Sequence, residues 1–306
     1  LFPIRRATRW QIASRDASLG QRSYRAANPP PGALIHFYLR AAPEREVTLS
    51  IADAAGEEIR SITLSDLESG VNRTVWDLRY EAPTPIRDQE SGGRGGFFRA
   101  RGGPLAPPGR YRVTLSGGDW QVSGDLELRG DPRIEMSDAD YRAQFDALIT
   151  LRGMASEINE AINLSESIVS QLADIHDVVR HADDMEDAGL ADTVAAAIDS
   201  LEAVTAEYLR RPPPRMTYRQ RPRVSEEIRS LMFAIGGVTA RPTEPQVTRM
   251  RQLRDETDGA LAALDRIIDG QIRPLNQRLG SYPRIMVGSR GGTRPRATSG
   301  GRQVPL

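Results

Sequence analysis

Between Asn28-Pro29-Pro30-Pro31-Gly32-Ala33 and Asp131-Pro132-Arg133 the chain reads as a compact β-domain. Leu34-Ile35-His36-Phe37-Tyr38-Leu39 is aromatic and β-branched, the composition of a buried strand. Val47, Leu49 and Ile51 alternate with polar neighbours, which puts one face in and one out. Asp53-Ala54-Ala55-Gly56 is a turn in which glycine supplies a positive φ, and Ile59 and Ile62 sit in the returning strand. Gly70-Val71-Asn72-Arg73 turns the chain again into Thr74-Val75-Trp76-Asp77-Leu78, with Trp76 placed at the centre of a small core. Residues 82–107, rich in Pro, Gly and Arg, read as a long loop. Tyr111, Val113 and Leu115 then share a face, and Trp120, Val122, Leu126 and Leu128 complete the set. Six or seven short strands separated by turn residues predict an immunoglobulin-like sandwich over 28–133.

Before this domain, residues 1–27 form an extended basic lead-in with Leu1, Phe2, Ile4, Trp10 and Ile12 as its apolar members. It reads as a segment that packs on something else. After Pro132 the period changes from two to three-and-four. Ser137-Asp138-Ala139-Asp140 is a helix start close to a capping box. Tyr141, Leu148, Leu151, Ile158, Ile162, Leu172, Ile175 and Val179 then form one apolar stripe, which needs partner helices. A second helix is predicted from Gly189 to the prolines after Arg211, and a short third one after Ser225, stopped by Gly236-Gly237. A fourth starts at the capping box Thr243-Glu244-Pro245-Gln246 and is kinked near its end by Pro274. Residues 134–279 are thus expected to form an antiparallel bundle of three long helices and one short one. Residues 280–306 lose all periodicity and read as a basic extended tail.

The 306 residues leave room for two cores. With no cysteine, neither a disulfide framework nor a thiolate site can exist. Every one of the 41 basic residues is arginine, a bias that fits a GC-rich genome. A formal net charge of zero conceals segregation: residues 1–27 are net +5, 28–133 net −2, 134–211 net −12, 212–278 net +4 and 279–306 net +5. Two basic ends around an acidic middle favour docking onto charged partners over chemistry. No stretch approaches the roughly 20 apolar residues of a membrane span, and no signal peptide is visible. The start at Leu1 reads as a processed or truncated product.

Asp174, His176, Asp177, His181, Asp183 and Asp184 suggest a metal site, but the two histidines are five apart and do not share a helix face, so a solvated face is expected. The Arg-Gly tract around Gly92–Gly103, with Phe97 and Phe98, is similar to RNA-binding tracts. Its surroundings lack a basic footprint, so a plain loop is expected and no nucleic-acid partner. Asn72-Arg73-Thr74 fits a glycosylation pattern that occurs often by chance, and Glu57-Glu58 and Glu226-Glu227 read as surface pairs. No catalytic, cofactor-binding or metal-ligating residue is assigned, and no cofactor is expected.

The ordered set Asn28–Ala33, V-T-L-S-I-x-D-x-x-G (47–56), G-V-N-R-T-V-W-D-L-R (70–79), G-P-x-A-P-P-G-R-Y-R-V-T-L (103–115) and Asp131–Arg133 resembles the C-terminal region of bacterial sortilin-like VPS10/BNR-repeat β-propeller proteins. The resemblance covers about residues 28–280. It implies an immunoglobulin-like domain of the flagellar hook-cap or fibronectin III type followed by a helical segment. The propeller is absent, and no Asp-box repeat occurs. Because that group's catalytic carboxylates lie in the propeller, the resemblance transfers no catalytic residue.

The expectation is therefore a non-catalytic structural or interaction protein, periplasmic or extracellular. It would be an accessory or scaffolding subunit of a larger assembly, membrane-associated assemblies included. The alternative is a processed C-terminal fragment of a secreted sortilin-like propeller protein. Partners are other protein subunits, with no small-molecule substrate evident. Phe2, Arg5, Arg6, Arg9 and Trp10 in the lead-in, Phe97 and Phe98 in the loop, and Arg290, Arg294 and Arg296 in the tail are the candidate contact residues.

Overall fold

The computed structural model describes residues 1–10, 30–87, 102–181, 185–212, 219–280 and 282–288, and among these seven strands precede five α-helical segments. The strands are β1 (Ala7–Arg9), β2 (Ala33–Leu39), β3 (Val47–Ala52), β4 (Glu58–Leu64), β5 (Gly70–Trp76), β6 (Gly109–Gly117) and β7 (Trp120–Gly130). Five of them form a sheet in the order β1-β7-β6-β3-β4, while β2 and β5 form a separate antiparallel pair. The inward residues of both sheets meet in one core. Ile35, Phe37, Leu49, Ile51, Trp76, Val113 and Leu115 are each at most 1% exposed there. The outer face of the larger sheet is polar: Arg112 reaches Asp125 at 3.4 Å, and Thr114 meets Ser123 at 3.0 Å. The outer face of the smaller pair is more apolar, with Tyr38 directly opposite Val71 and both more than half exposed.

The lead-in is not separate from the β-domain. Phe2 donates its N–H to the His36 carbonyl at the edge of β2, and Ala7–Arg9 then pair in parallel with Leu128–Gly130 of β7. The first ten residues therefore cross from one sheet to the other. Ala7 and Arg9 point inward and Thr8 outward. An arginine at an inward position hides this two-residue period from a reading of hydrophobicity.

Tyr111, near the start of β6, donates its hydroxyl to the Pro107 carbonyl at 2.6 Å and packs against Trp76 with ring centroids 5.3 Å apart. Trp76 in turn donates Nε1–H to the Arg79 carbonyl at 3.0 Å. Burial raises the Tyr111 phenol above its ordinary range, and burial, helped by the Asp53 and Glu57 carboxylates, pushes Tyr80 up to about 12. In the unfolded chain these phenols ionise near pH 10. Their protonated forms therefore support the fold fully below about pH 10, and that support falls as pH rises toward 12. A urea midpoint that declines between about pH 9.5 and 11.5, and declines less in Tyr80→Phe, is the expected result.

Part of the predicted loop 82–107 is ordered against the helices. Residues 78–80 pair with 103–106, through Tyr80 N–H to Pro104 O at 2.9 Å and Ala106 N–H to Leu78 O at 2.7 Å. Glu81 donates its N–H to the Ile59 carbonyl on β4, and its carboxylate accepts from Ser61 N–H and Arg60, which blocks that sheet edge. Residues 81–87 then run along α1 (Asp138–Arg180). Thr84 N–H donates to Ser156 Oγ and Thr84 Oγ1 to Glu160, while Asn159 donates to the Thr84 carbonyl. Asn163 accepts from Arg87 N–H at 3.0 Å and donates to Pro85 O at 2.9 Å. Ile86, 4% exposed, belongs to the helical core. Residues 88–101, including the Arg-Gly tract with Phe97 and Phe98, lie outside the described residues.

α1 is 43 residues long, capped by Ser137, whose side chain accepts from Asp140 N–H. Its buried stripe, Leu151, Ile158, Ile162, Ile168 and Leu172, is the spine of the second core. The other helical segments are α2 (Met185–Val204), α3 (Val224–Gly236), α4 (Glu244–Ile267) and α5 (Arg273–Arg278). α2 runs on into a π-helical turn at Thr205–Leu209, and a second π turn, Ile268–Ile272, joins α4 to α5. Pro274, expected to kink the last helix, sits just after that π turn, whose wider hydrogen-bond spacing absorbs the missing N–H. The Thr243–Gln246 capping box forms as predicted. Beyond α5 the chain turns at Gly280 (φ +54°) and lays Ile285, 3% exposed, onto the helices. Asn276 and Gln171 each both accept from and donate to its backbone, at Ile285 and Met286. Thus 282–288 is fixed in place, while 289–306, with Arg290, Arg294 and Arg296, lies outside the described residues. No helix among the described residues is long and apolar enough to cross a membrane.

Candidate interaction surface

The N-terminal segment carries five of the candidate contact residues, and the fold separates them sharply. Phe2 is 45% and Trp10 47% exposed. Arg5 is exposed, and Arg6 pairs with Glu127 at 3.1 Å across the strand edge, with both partners more than half exposed. Such a pair contributes about 0–1 kcal/mol. Arg9 is different: it is 4% exposed and turned into the junction between the two cores. Its guanidinium donates to Gln144 Oε1 at 2.5 Å and to the Ala106 carbonyl at 3.4 Å, and lies 5.0 Å over the Tyr141 ring. Burial pushes its pKa down to about 10, so it remains charged at neutral pH. Arg9, expected as a contact for a partner, is engaged by this chain's own α1.

Beside it lies an open cleft of about 520 Å³ lined by Asp131, Arg133, Ile134, Gly237, Val238 and Thr239. Ile134 is 40% and Val238 52% exposed, so together with Trp10 the region presents an aromatic and two aliphatic side chains. The Arg133 guanidinium sits 6.0 Å over the Trp10 ring. Arg133 also grips buried Asp131 twice through its side chain, at 2.9 and 2.6 Å, and once through its N–H at 3.0 Å. The hydrogen bonds from the Arg133 side chain, and secondarily from its backbone, hold the Asp131 carboxyl down at about 2. That carboxylate therefore supports the folded state fully above the unfolded value of about 3.9 and progressively less as pH falls toward 2. The stability loss between about pH 4 and pH 2 is expected to be smaller in Asp131→Asn, measured as the urea midpoint against pH.

The remaining sequence candidates resolve into structure. His181 caps α1, its Nδ1 2.6 Å from the Asp177 carbonyl, while Asp183 and Asp184 lie outside the described residues. Among the described residues no three metal-ligating side chains converge. Asn72 is 7% exposed, accepts from Glu68 N–H and donates to Glu68 O and Gly70 O, so the folded chain does not present it for glycosylation. Glu226 and Glu227, read as surface, are half-buried: Glu226 accepts from Arg223 N–H at 2.8 Å at the start of α3, and Glu227 faces Arg249 at 3.8 Å. Glu58 accepts from Ser50 Oγ at 2.5 Å. The chain matches no protein-family model and no curated protein sequence. The sortilin-like resemblance therefore rests on the quoted motifs alone.

Proposed function

We propose that this chain is a non-catalytic interaction protein, an accessory or scaffolding subunit that docks on a larger protein assembly outside the cytoplasm. The observation that carries this reading is that Ile134 and Val238, which line the cleft, and Trp10, whose ring lies 6.0 Å from the cleft-lining Arg133 guanidinium, are each at least 40% exposed. Such a surface, in which exposed apolar side chains adjoin the charged pair Asp131–Arg133 that also lines the cleft, has the make-up of a protein-binding patch. The segregated charge of the two chain ends would add steering. In this reading Phe2 and Trp10 are the anchors in the N-terminal segment, and Phe97, Phe98, Arg290, Arg294 and Arg296 remain proposed contacts. The test is competitive: the purified chain is bound to its isolated assembly, and Trp10→Ser with Val238→Ser should weaken that binding at least tenfold without lowering the melting temperature. Unchanged affinity in the double variant would remove the surface from the proposal.

The second reading makes the chain the C-terminal region of a sortilin-like propeller protein, built as an immunoglobulin-like sandwich followed by a helical bundle. The strand order β1-β7-β6-β3-β4 opposite β2-β5 favours such a sandwich, as does the Tyr111 hydroxyl bonded back to Pro107 at 2.6 Å, a tyrosine-corner geometry. A longer reading frame with Asp-box repeats ahead of Leu1 would support this second reading, and a signal peptide directly ahead of it would count against it.

A further inference from the structure

Gln144 joins three elements at the boundary between the two cores. It is 0% exposed. Its Oε1 accepts from Arg9 of β1 at 2.5 Å, and its Nε2 donates to the carbonyls of Ile235, at 2.9 Å, and Val238, at 2.6 Å. A primary amide offers two N–H groups and one carbonyl, so every function of this side chain is committed. Ile235 and Val238 bracket the end of α3, where the chain is already tight: a Cβ on Gly237 would lie 2.7 Å from the Phe233 carbonyl. On the other side, β1 is a strand of three residues on the sheet edge, paired with β7 alone.

We propose that β1 is a strap coupled to the end of α3 through Gln144, so that the strand seats and the turn closes as two halves of one equilibrium. If β1 lifts, Gln144 Oε1 becomes a buried acceptor without its donor, and that state carries the full desolvation penalty of the group. The amide recovers a partner by rotating toward water. Rotation withdraws Nε2 from the Ile235 and Val238 carbonyls, which then need solvent of their own, so the turn opens. The coupling runs equally in the other direction, as linkage requires. Val238 and Arg133 line the cleft, and Trp10, which directly follows β1, lies under the Arg133 guanidinium at 6.0 Å, so the state of the strap bears on both sides of the cleft. A partner bound there would act on the strap and on α3 together. The inference concerns the chain itself and stands whether or not the docking reading holds.

Amide hydrogen exchange on the full chain tests it. Arg9→Met keeps the stem and removes the donors. It is expected to speed exchange at 234–239 by about tenfold or more while leaving the middle of α1 unchanged. Gly237→Ala, whose Cβ would meet the Phe233 carbonyl at 2.7 Å, disturbs the turn without touching Gln144 and is expected to do the reverse, speeding exchange at Ala7–Arg9 by a similar factor. If each variant loosens only its own side, with less than about a twofold change on the other, the coupling does not exist. Should Arg9→Met fail to fold, the parent chain serves instead: at rising sub-denaturing urea the amides of 7–9 and of 234–239 must open together, and separate openings would overturn the proposal.

Discussion

Trp76→Ala is expected to destabilise the protein by about 3–5 kcal/mol, enough to consume much of the about 5–15 kcal/mol that holds a domain folded. Trp76 is 0% exposed and lies where the two sheets meet. Its ring packs on Tyr111 at 5.3 Å, and its Nε1–H satisfies the Arg79 carbonyl. Truncation therefore leaves a cavity and removes the indole donor from the Arg79 carbonyl together. Trp76→Phe separates the two contributions: it keeps most of the ring volume and should cost about 1–2 kcal/mol, chiefly the lost hydrogen bond. Urea unfolding of the two variants against the parent measures both numbers. A loss under about 1 kcal/mol for Trp76→Ala would mean that the β core does not close on this residue.

Gly103→Ala is expected to have the next largest effect, a loss of about 1–3 kcal/mol or more. A Cβ at this position would lie 2.2 Å from the Glu81 carbonyl oxygen and 2.4 Å from that of Tyr80. Both obstacles are backbone, so no side chain can swing aside. The strain would fall on the pairing of 78–80 with 103–106 and on Glu81, the residue that starts the run along α1. Arg152 Nε donates to the Glu81 carbonyl at 3.2 Å, so the disturbance reaches the helices directly. Exchange protection at Thr84 and Arg87 should fall with the stability. Full stability with full protection at Arg87 would show that the close approach of 80–81 to 103 is not a fixed feature of the fold.

These two residues also mark the limits of what the sequence discloses. Strands β3 and β6 were legible because Val47, Leu49, Ile51, Tyr111, Val113 and Leu115 alternate in burial as they alternate in the chain. β5 was legible only in part: Gly70–Arg73, expected as a turn, are its first four residues and pair with Leu39–His36, and the strand ends at Trp76. Helix starts were legible at Ser137 and Thr243 because a cap requires particular side chains at particular spacings. β1 was not, because its second inward residue is the charged Arg9, whose burial depends on Gln144 from a distant part of the chain. The docked segments 81–87 and 282–288 were not legible either. Each is held by side-chain amides of helices, Asn159, Asn163, Gln171 and Asn276, that read as solvated polar positions. Short extended pieces have no period of their own, so burial of Ile86 and Ile285 is decided by tertiary contact. Of the exposed apolar residues in the proposed surface and the N-terminal segment, Phe2 and Trp10 stood out as aromatics in a polar stretch, whereas Ile134 and Val238 were single apolar residues near turns with nothing local to distinguish them.

We propose that this chain works by attachment to other proteins. Its most direct test is the native mass of the chain in gently solubilised extract of its own cells, combined with cross-linking from residues 1–10. Migration far above its own 33.7 kDa, with cross-links from the N-terminal segment and the Ile134–Val238 region to another subunit, is the expected result. Migration alone at 33.7 kDa, in soluble and membrane fractions alike, would contradict it.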